Sequence, residues 1–453
     1  MPSSPSAAPP ATADDESLRH FGVTAATAVM VGNMIGTGVF TALGFQAQAL
    51  HSGAALLSLW AIGGLIALCG ALAYAELGTM YPHCGGEYVY LGRAWHPMAG
   101  FLGGWVSMTV GFAAPIALAG IAFGRYVSAI VPIPPLAASL VVLGVVAVVH
   151  LAGLHAAKRF QLLITGTQFI LIAAFITAGL RHAPAAPLHM GLDGAAWREI
   201  VSTPFAVSLV YVSYAFTGWN AAGYIAGEIT TPQRSIPRAI VMATLVVTVL
   251  YVLLNWAFLR TVPLDTLAGR VEVGALSANA MFGRTGTIVM SAIIATVLIA
   301  TISAMVLGGS RVTYAVMADL PRWRVLGKRA ANGVPRNAIV AQVVLILVLL
   351  LTNSFEQVML YAGFTLNLMS LLAVLGMMRL RWTMSATHRP YRAWGYPVTP
   401  LLYVALSLWT LGTLLRERPL ESISGLGTLV VGICVWWMAH RPVPATVVGD
   451  SSR

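Results

Sequence analysis

The sequence predicts an all-α polytopic membrane protein with twelve transmembrane helices. Composition, run length and charge placement together point to it. Of its 453 residues, 58% are hydrophobic and only 9% are charged, where a soluble domain carries roughly 25% charged residues. Mean hydropathy is +0.80, too apolar for any water-soluble fold. The apolar residues fall in long runs such as 136–150 and 339–352. A transmembrane barrel would instead alternate over segments of about ten residues.

A window of about 19 residues places the spans, in chain order, at 23–47, 53–79, 97–130, 136–153, 158–180, 202–227, 238–260, 286–318, 338–352, 356–379, 398–415 and 424–440. The third and eighth exceed the roughly 20 residues that a bilayer needs, so they tilt or protrude. Residues 1–20 read as a disordered cytoplasmic tail, rich in Pro, Ala and Ser and carrying Asp14, Asp15 and Glu16. No basic segment precedes a short apolar core there, so a secretory signal is not expected and the first span is retained.

Charge sets the orientation. With the N-terminus inside, the inner loops and tails hold 18 Lys and Arg and the outer loops hold 8. Both termini are therefore expected on the cytoplasmic side of a plasma (inner) membrane, in agreement with an even span count. The net charge of +11 is explained by the same rule, and no nucleic-acid partner is expected. Cys69, Cys84 and Cys434 form neither a metal spacing nor a disulfide framework. The histidines form no HxxxH pattern and no nucleotide-binding GxxxxGK[ST] occurs. No cofactor, metal or catalytic group is expected.

The first span is interrupted. VGNMIGTGVF, Val31 to Phe40, places Gly32, Gly36 and Gly38 with Asn33 and Thr37 at its centre. Each glycine costs a helix about 1 kcal/mol relative to Ala. A broken helix is tolerated at membrane depth only where it lines a cavity or is buried in protein. The sixth span shows a second interruption in SYAFTGWNAAGYIAGE, Ser213 to Glu228, at Thr217-Gly218 and again at Ala221-Ala222-Gly223. The start of the second broken span comes five spans after the start of the first, and an odd offset inverts the second copy relative to the membrane. The expected organisation is a first inverted repeat over 21–181 and an outer loop over 182–201. A second repeat follows over 202–381, then spans eleven and twelve over 382–440 and a cytoplasmic tail over 441–453.

Two facing breaks suit a zwitterion. The N-terminus of a half-helix offers free N–H groups and about half a positive charge, which matches a carboxylate. The end of the preceding half-helix offers carbonyls, which match an ammonium. In this reading the Thr37 and Gly38 N–H groups, with the Thr37 hydroxyl, hold a carboxylate. Carbonyls near Met34, Tyr214 and Thr217 take the ammonium.

These residues carry a resemblance. GNMIGTGVF is similar to the G-x-x-x-G-[ST]-G-[IV]-F signature of the amino acid–polyamine–organocation superfamily of permeases. LAYAELGTMYPHCGGEYVYL (72–91), YAFTGWNAAGYIAGEITTPQRSIPRAI (214–240) and RPYRAWGYPVTPLL (389–402) resemble further segments of the L-type amino acid transporter and serine/threonine exchanger branch. The matches spread over most of the chain, in the family's order. The resemblance implies the leucine-transporter fold, with a five-plus-five inverted repeat and two added helices. It implies a secondary permease or exchanger for amino acids that works by alternating access. Substrate contacts are implied at Met34, Ile35, Gly36, Thr37 and Gly38, and at Tyr214, Ala215, Phe216, Thr217 and Gly218, with Tyr214 as an aromatic gate.

Departures from the family pattern bear on coupling. Asn220 stands where arginine/agmatine antiporters have a glutamate. Gln168 stands where several relatives carry a lysine in place of a bound sodium ion. Glu228 is read as a gating residue paired with Arg234, Arg238 or another loop arginine, and Glu76 as another carboxylate near the inner end of its span. The pocket-forming stretches hold no acidic residue, so a neutral side chain is expected, tuned by Val110, Phe112, Ser303 or Asn367. The identity of any co-transported proton or ion is left open. Rival readings are a polyamine or organic-cation permease, an ion channel and a membrane-embedded enzyme.

Overall fold

A computed structural model describes residues 22–82, 86–152, 157–185, 190–220, 229–318, 335–352 and 354–440. Among the described residues, each expected span holds helix. In order, the helices are α1 (Val23–Met34), α2 (Thr37–Gln46), α3 (Gly53–Met80), α4 (Glu87–Ala94) and α5 (Pro97–Val106). A π-helical turn, Ser107–Phe112, leads into α6 (Ala113–Ser128), α7 (Pro135–Leu151) and α8 (Ala157–Arg181). Then come α9 (Gly194–Ile200), α10 (Thr203–Phe216) with the 3₁₀ turn Thr217–Asn220, α11 (Pro232–Thr261) and α12 (Leu264–Leu267). The chain ends with α13 (Val273–Ala318), α14 (Arg336–Thr352), α15 (Phe355–Thr383), α16 (Val398–Glu417) and α17 (Pro419–His440). Among the described residues, 8 helical stretches are long and apolar enough to cross a membrane, or up to 9 with the bent pair formed by α9 and the sixth span.

Some limits differ from those expected, for a common reason. Hydropathy finds apolar runs and not helix ends. Helix α11 begins at Pro232 rather than 238, because PQRSIPR is polar but helical, with Pro232 in the first turn where proline is tolerated. Helix α13 begins at Val273 rather than 286 and bends at Gly283, whose φ of 64° and ψ of −158° suit glycine.

Burial separates core helices from peripheral ones. In the most apolar window of Pro97–Ser128 and of Phe355–Thr383, 72% of residues lie inside the protein, against 28% for Pro419–Ala439. The large apolar side chains that α7, α14, α16 and α17 expose, such as Val145, Val344, Leu408 and Val430, fit a lipid-facing surface. In the core, glycines bring helices together. A Cβ on Gly63 would stand 2.3 Å from Val212 of α10, and one on Gly64 2.3 Å from Thr248 of α11.

Ion pairs hold α15 at both ends. At its C-terminal end, the fully buried Glu76 of α3 meets Arg381 at 2.5 Å and Arg389 at 3.4 Å. The Ala393 N–H donates to the same carboxylate at 2.6 Å, and Arg381 lies 3.8 Å from the Tyr396 ring centroid. At its N-terminal end, Glu356 accepts from Tyr211 of α10 at 2.8 Å and from Arg418 at 3.0 Å. Removing one partner of a buried pair leaves the other uncompensated. Glu76→Ala is therefore expected to cost about 3–5 kcal/mol, read as a lowered melting temperature of the detergent-solubilised protein, while Arg418→Ala at the more exposed pair costs clearly less.

Candidate functional site

The first break is a two-residue interruption. Helix α1 ends at Met34, and Ile35 (φ −75°, ψ 90°) and Gly36 (φ −130°, ψ −152°) are extended before α2 resumes at Thr37. No side chain caps α2. Its first N–H groups thus have no partner within the helix, and they carry the positive end of the helix dipole. In the sixth span, α10 ends at Phe216 and the chain tightens into the 3₁₀ turn. The Thr217 hydroxyl donates back to the Tyr214 carbonyl at 2.8 Å.

The two breaks interlock reciprocally. A Cβ on Gly38, in the second half of the first break, would stand 2.8 Å from the Ala215 Cβ and 3.0 Å from its Cα. A Cβ on Gly218 would stand 2.4 Å from the Met34 nitrogen and 2.4 Å from the Asn33 carbonyl carbon. Each glycine is the point where the other span's backbone passes. Tyr214 is buried. Its ring lies 3.5 Å from the Gly38 Cβ position, and its hydroxyl sits against the Thr37 side chain. Gly36 differs, because a Cβ there would meet nothing within 4 Å and its φ is one that any residue adopts.

The expected site residues are thus distributed as follows. Thr37, Gly38, Tyr214 and Ala215 meet on one side, and Met34 and Gly218 on the other. Phe216 points elsewhere, against the Tyr251 ring at 5.0 Å and 65°. Two of the carbonyls expected to receive an ammonium already have internal donors: Tyr214 O from Thr217, and Met34 O from the Tyr251 hydroxyl at 2.5 Å. The Tyr214 oxygen receives the Thr217 N–H as well as its hydroxyl, so both of its lone pairs are engaged, while the Met34 oxygen keeps a second one. Gln168 lies on α8 and Asn220 ends the 3₁₀ turn. Glu228, Ala221–Gly223 and Cys84 lie outside the described residues.

Tyr251 is the residue that sequence reading missed. The available signal was a tyrosine one turn before Asn255 in the apolar seventh span. Among the tuning candidates, Ser303 is hydrogen-bonded to His150 of α7 at 3.0 Å. Val110 and Phe112 fall on the π turn, a distortion common at functional sites. Asn367 donates to Thr410 at 3.2 Å and accepts from Ser407 at 3.1 Å.

Two spaces adjoin the breaks. One begins at Gly36 and is lined by apolar groups alone, including Phe40, Phe175, Leu254, Ile294 and Val297. The other lies behind the sixth-span break, where Ser213, Thr217, Asn367, Ser370 and Tyr403 supply polar groups. Among the described residues no group of three or more His, Cys, Asp or Glu side chains could hold a metal.

The chain is similar to known proteins along most of its length. Residues 21–426 match the family model described as amino acid permease. The chain is 25% identical over 449 residues to the cystine/glutamate transporter of Homo sapiens, covering 97% of this chain and 88% of that one. It is 27% identical over 415 residues to the serine/threonine exchanger SteT of Bacillus subtilis (strain 168), covering 89% and 93%. It is 26% identical over 442 residues to the large neutral amino acids transporter small subunit 2 of Homo sapiens, covering 94% and 82%.

The three break glycines should respond differently to a single methyl group. Gly218→Ala and Gly38→Ala force backbone shifts costing about 1–3 kcal/mol, whereas Gly36→Ala meets open space. Melting temperatures of the purified variants should fall most for Gly218→Ala and least for Gly36→Ala.

Proposed function

The chain belongs to the amino acid permease family, and from that premise we propose that it moves neutral amino acids across a plasma (inner) membrane by alternating access. Its matched relatives are transporters and exchangers, not enzymes. The reciprocal fit of Gly38 on Ala215 and Gly218 on Met34 carries the proposal. It brings a free helix N-terminus and the carbonyl ends of two half-helices to one place.

In this mechanism the N–H groups of Thr37 and Gly38 and the Thr37 hydroxyl bind the substrate carboxylate. Carbonyls near Met34, Tyr214 and Thr217 accept its ammonium. Ile35, Gly36, Ala215 and Gly218 shape the surroundings, and Phe216 acts through the Tyr251 ring against which it packs. The substrate side chain is neutral: the space beside Gly36 is lined by apolar groups, and burying an unpaired charge there is costly. The same argument weighs against a polyamine. Tyr214, packed beside Gly38, is the gate that swings aside for the ligand. Asn220, Glu228 and Gln168 bear on gating and coupling, and the neutral amide of Gln168 cannot stand in for a bound cation.

The proposed organisation is twelve spans with both termini cytoplasmic. Two inverted repeats cover 21–181 and 202–381, followed by spans eleven and twelve. The reciprocal glycine contacts are what a two-fold relation between the first and sixth spans produces.

Three measurements test the proposal. A thermal-shift screen of the purified protein against the twenty amino acids and common polyamines should find stabilisation by neutral amino acids, since a ligand of the folded state raises its apparent stability. Stabilisation by polyamines alone would overturn the reading. Gly38→Val should abolish uptake of labelled amino acid into proteoliposomes while the protein still inserts. Tyr214→Ala should raise KM or uncouple exchange, and unchanged kinetics would remove its gate role.

A further inference from the structure

Helix α11 contributes a group to the junction of the two breaks. Tyr251 is 1% exposed, and its hydroxyl lies 2.5 Å from the Met34 carbonyl oxygen and 3.1 Å from that of Ala215. Met34 is the last residue of α1, and Ala215 precedes the last residue of α10. Both carbonyls thus belong to final helical turns, which have no intrahelical donor and carry the negative pole of the dipole. Two like poles converge on one point, and the hydroxyl hydrogen is what they share there. Water cannot easily substitute, because the ring is closed in by Trp60 at 5.2 Å and 81° and by Phe216 at 5.0 Å and 65°. Asn255 donates to the Tyr251 carbonyl at 2.8 Å, one turn along.

We infer that Tyr251 is a positioning residue for substrate recognition: its hydroxyl joins the carbonyl ends of the first and sixth spans, and so sets the geometry in which those carbonyls meet the substrate's ammonium. The inference rests on the amino acid site proposed above and adds a residue from a third helix to it. Tyr251 itself need not touch the substrate. Without the hydroxyl, two buried carbonyl oxygens lose their donor and the like poles have nothing between them. The two spans then separate where the ammonium must be held.

Tyr251→Phe deletes the hydroxyl and keeps the ring. In proteoliposomes loaded with the amino acid that gives the largest thermal shift, KM for exchange should rise at least about fivefold, the factor expected from one ordinary hydrogen bond. The maximal rate should stay within about threefold, well inside that same range. Ser139→Ala is the matched control. It deletes a buried hydroxyl that donates to the Gly120 carbonyl at 2.7 Å, between α7 and α6, and it should leave KM unchanged. Trp60→Leu is the second variant, for use if Tyr251→Phe yields no folded protein. It keeps the hydroxyl but removes a ring that fixes Tyr251, and KM should rise in the same direction. An unchanged KM in a folded Tyr251→Phe or Trp60→Leu protein overturns the inference, as does an equal rise in Ser139→Ala. If the unsubstituted protein shows no saturable amino acid uptake, the proposed function fails and this inference with it. Saturable uptake with KM indifferent to Tyr251 removes this inference alone.

Discussion

The structure turns on the contact between two interrupted helices, made where neither has a side chain to keep the other away. A helix that stops inside an apolar slab leaves N–H and C=O groups without partners, and lipid offers none. Here each break is covered by the other. Gly218 lets the end of α1 approach to a distance that a methyl group would forbid, and Gly38 does the same for α10. A single break would be a defect. Two that interlock form a buried polar junction, with donors on one side and acceptors on the other.

The rest of the fold supports this junction. Helix α11 supplies the Tyr251 hydroxyl to both carbonyl ends and packs through Thr248 on Gly64 of α3. Helix α15 lays Gly363 against Val210 of α10 and is tied at one end to Glu76 and at the other to Tyr211 and Arg418. A further buried carboxylate, Glu87, accepts from Tyr74 at 2.5 Å and from Ser370 in the middle of α15 at 3.5 Å, while the two breaks themselves present hydroxyls and backbone dipoles. This division suits a zwitterionic ligand. Helix termini can meet both of its charges without a charged side chain at the breaks, and the space beside Gly36 is lined by apolar groups.

Much of the architecture was legible in the chain. Long apolar runs located the helices, because transfer into lipid depends on summed side-chain hydrophobicity. Glycine with Thr and Asn in mid-span located both breaks, because such residues weaken a helix wherever it lies. Helix ends were less legible. Polar turns such as PQRSIPR at the start of α11 continue a helix without adding hydropathy, and the early start of α13 was hidden for the same reason. The partner of Glu76 was not legible either. Arg381 lies 305 positions away and looks like any other basic residue flanking a span.

By itself, then, the sequence determined the class of protein, the place of each interruption and the residue types there, since these are properties of local stretches and of composition. Only the tertiary structure decided what those interruptions face. Ser303, a candidate near the site by sequence, is hydrogen-bonded to His150. Phe216 turns toward Tyr251, and the Met34 carbonyl, free in any reading of the first span alone, is taken by a hydroxyl from the seventh. Gly36, Gly38 and Gly218 are identical letters in the chain. Two of them are held by a neighbouring backbone and one opens onto a cavity, a difference that exists only after distant spans have packed.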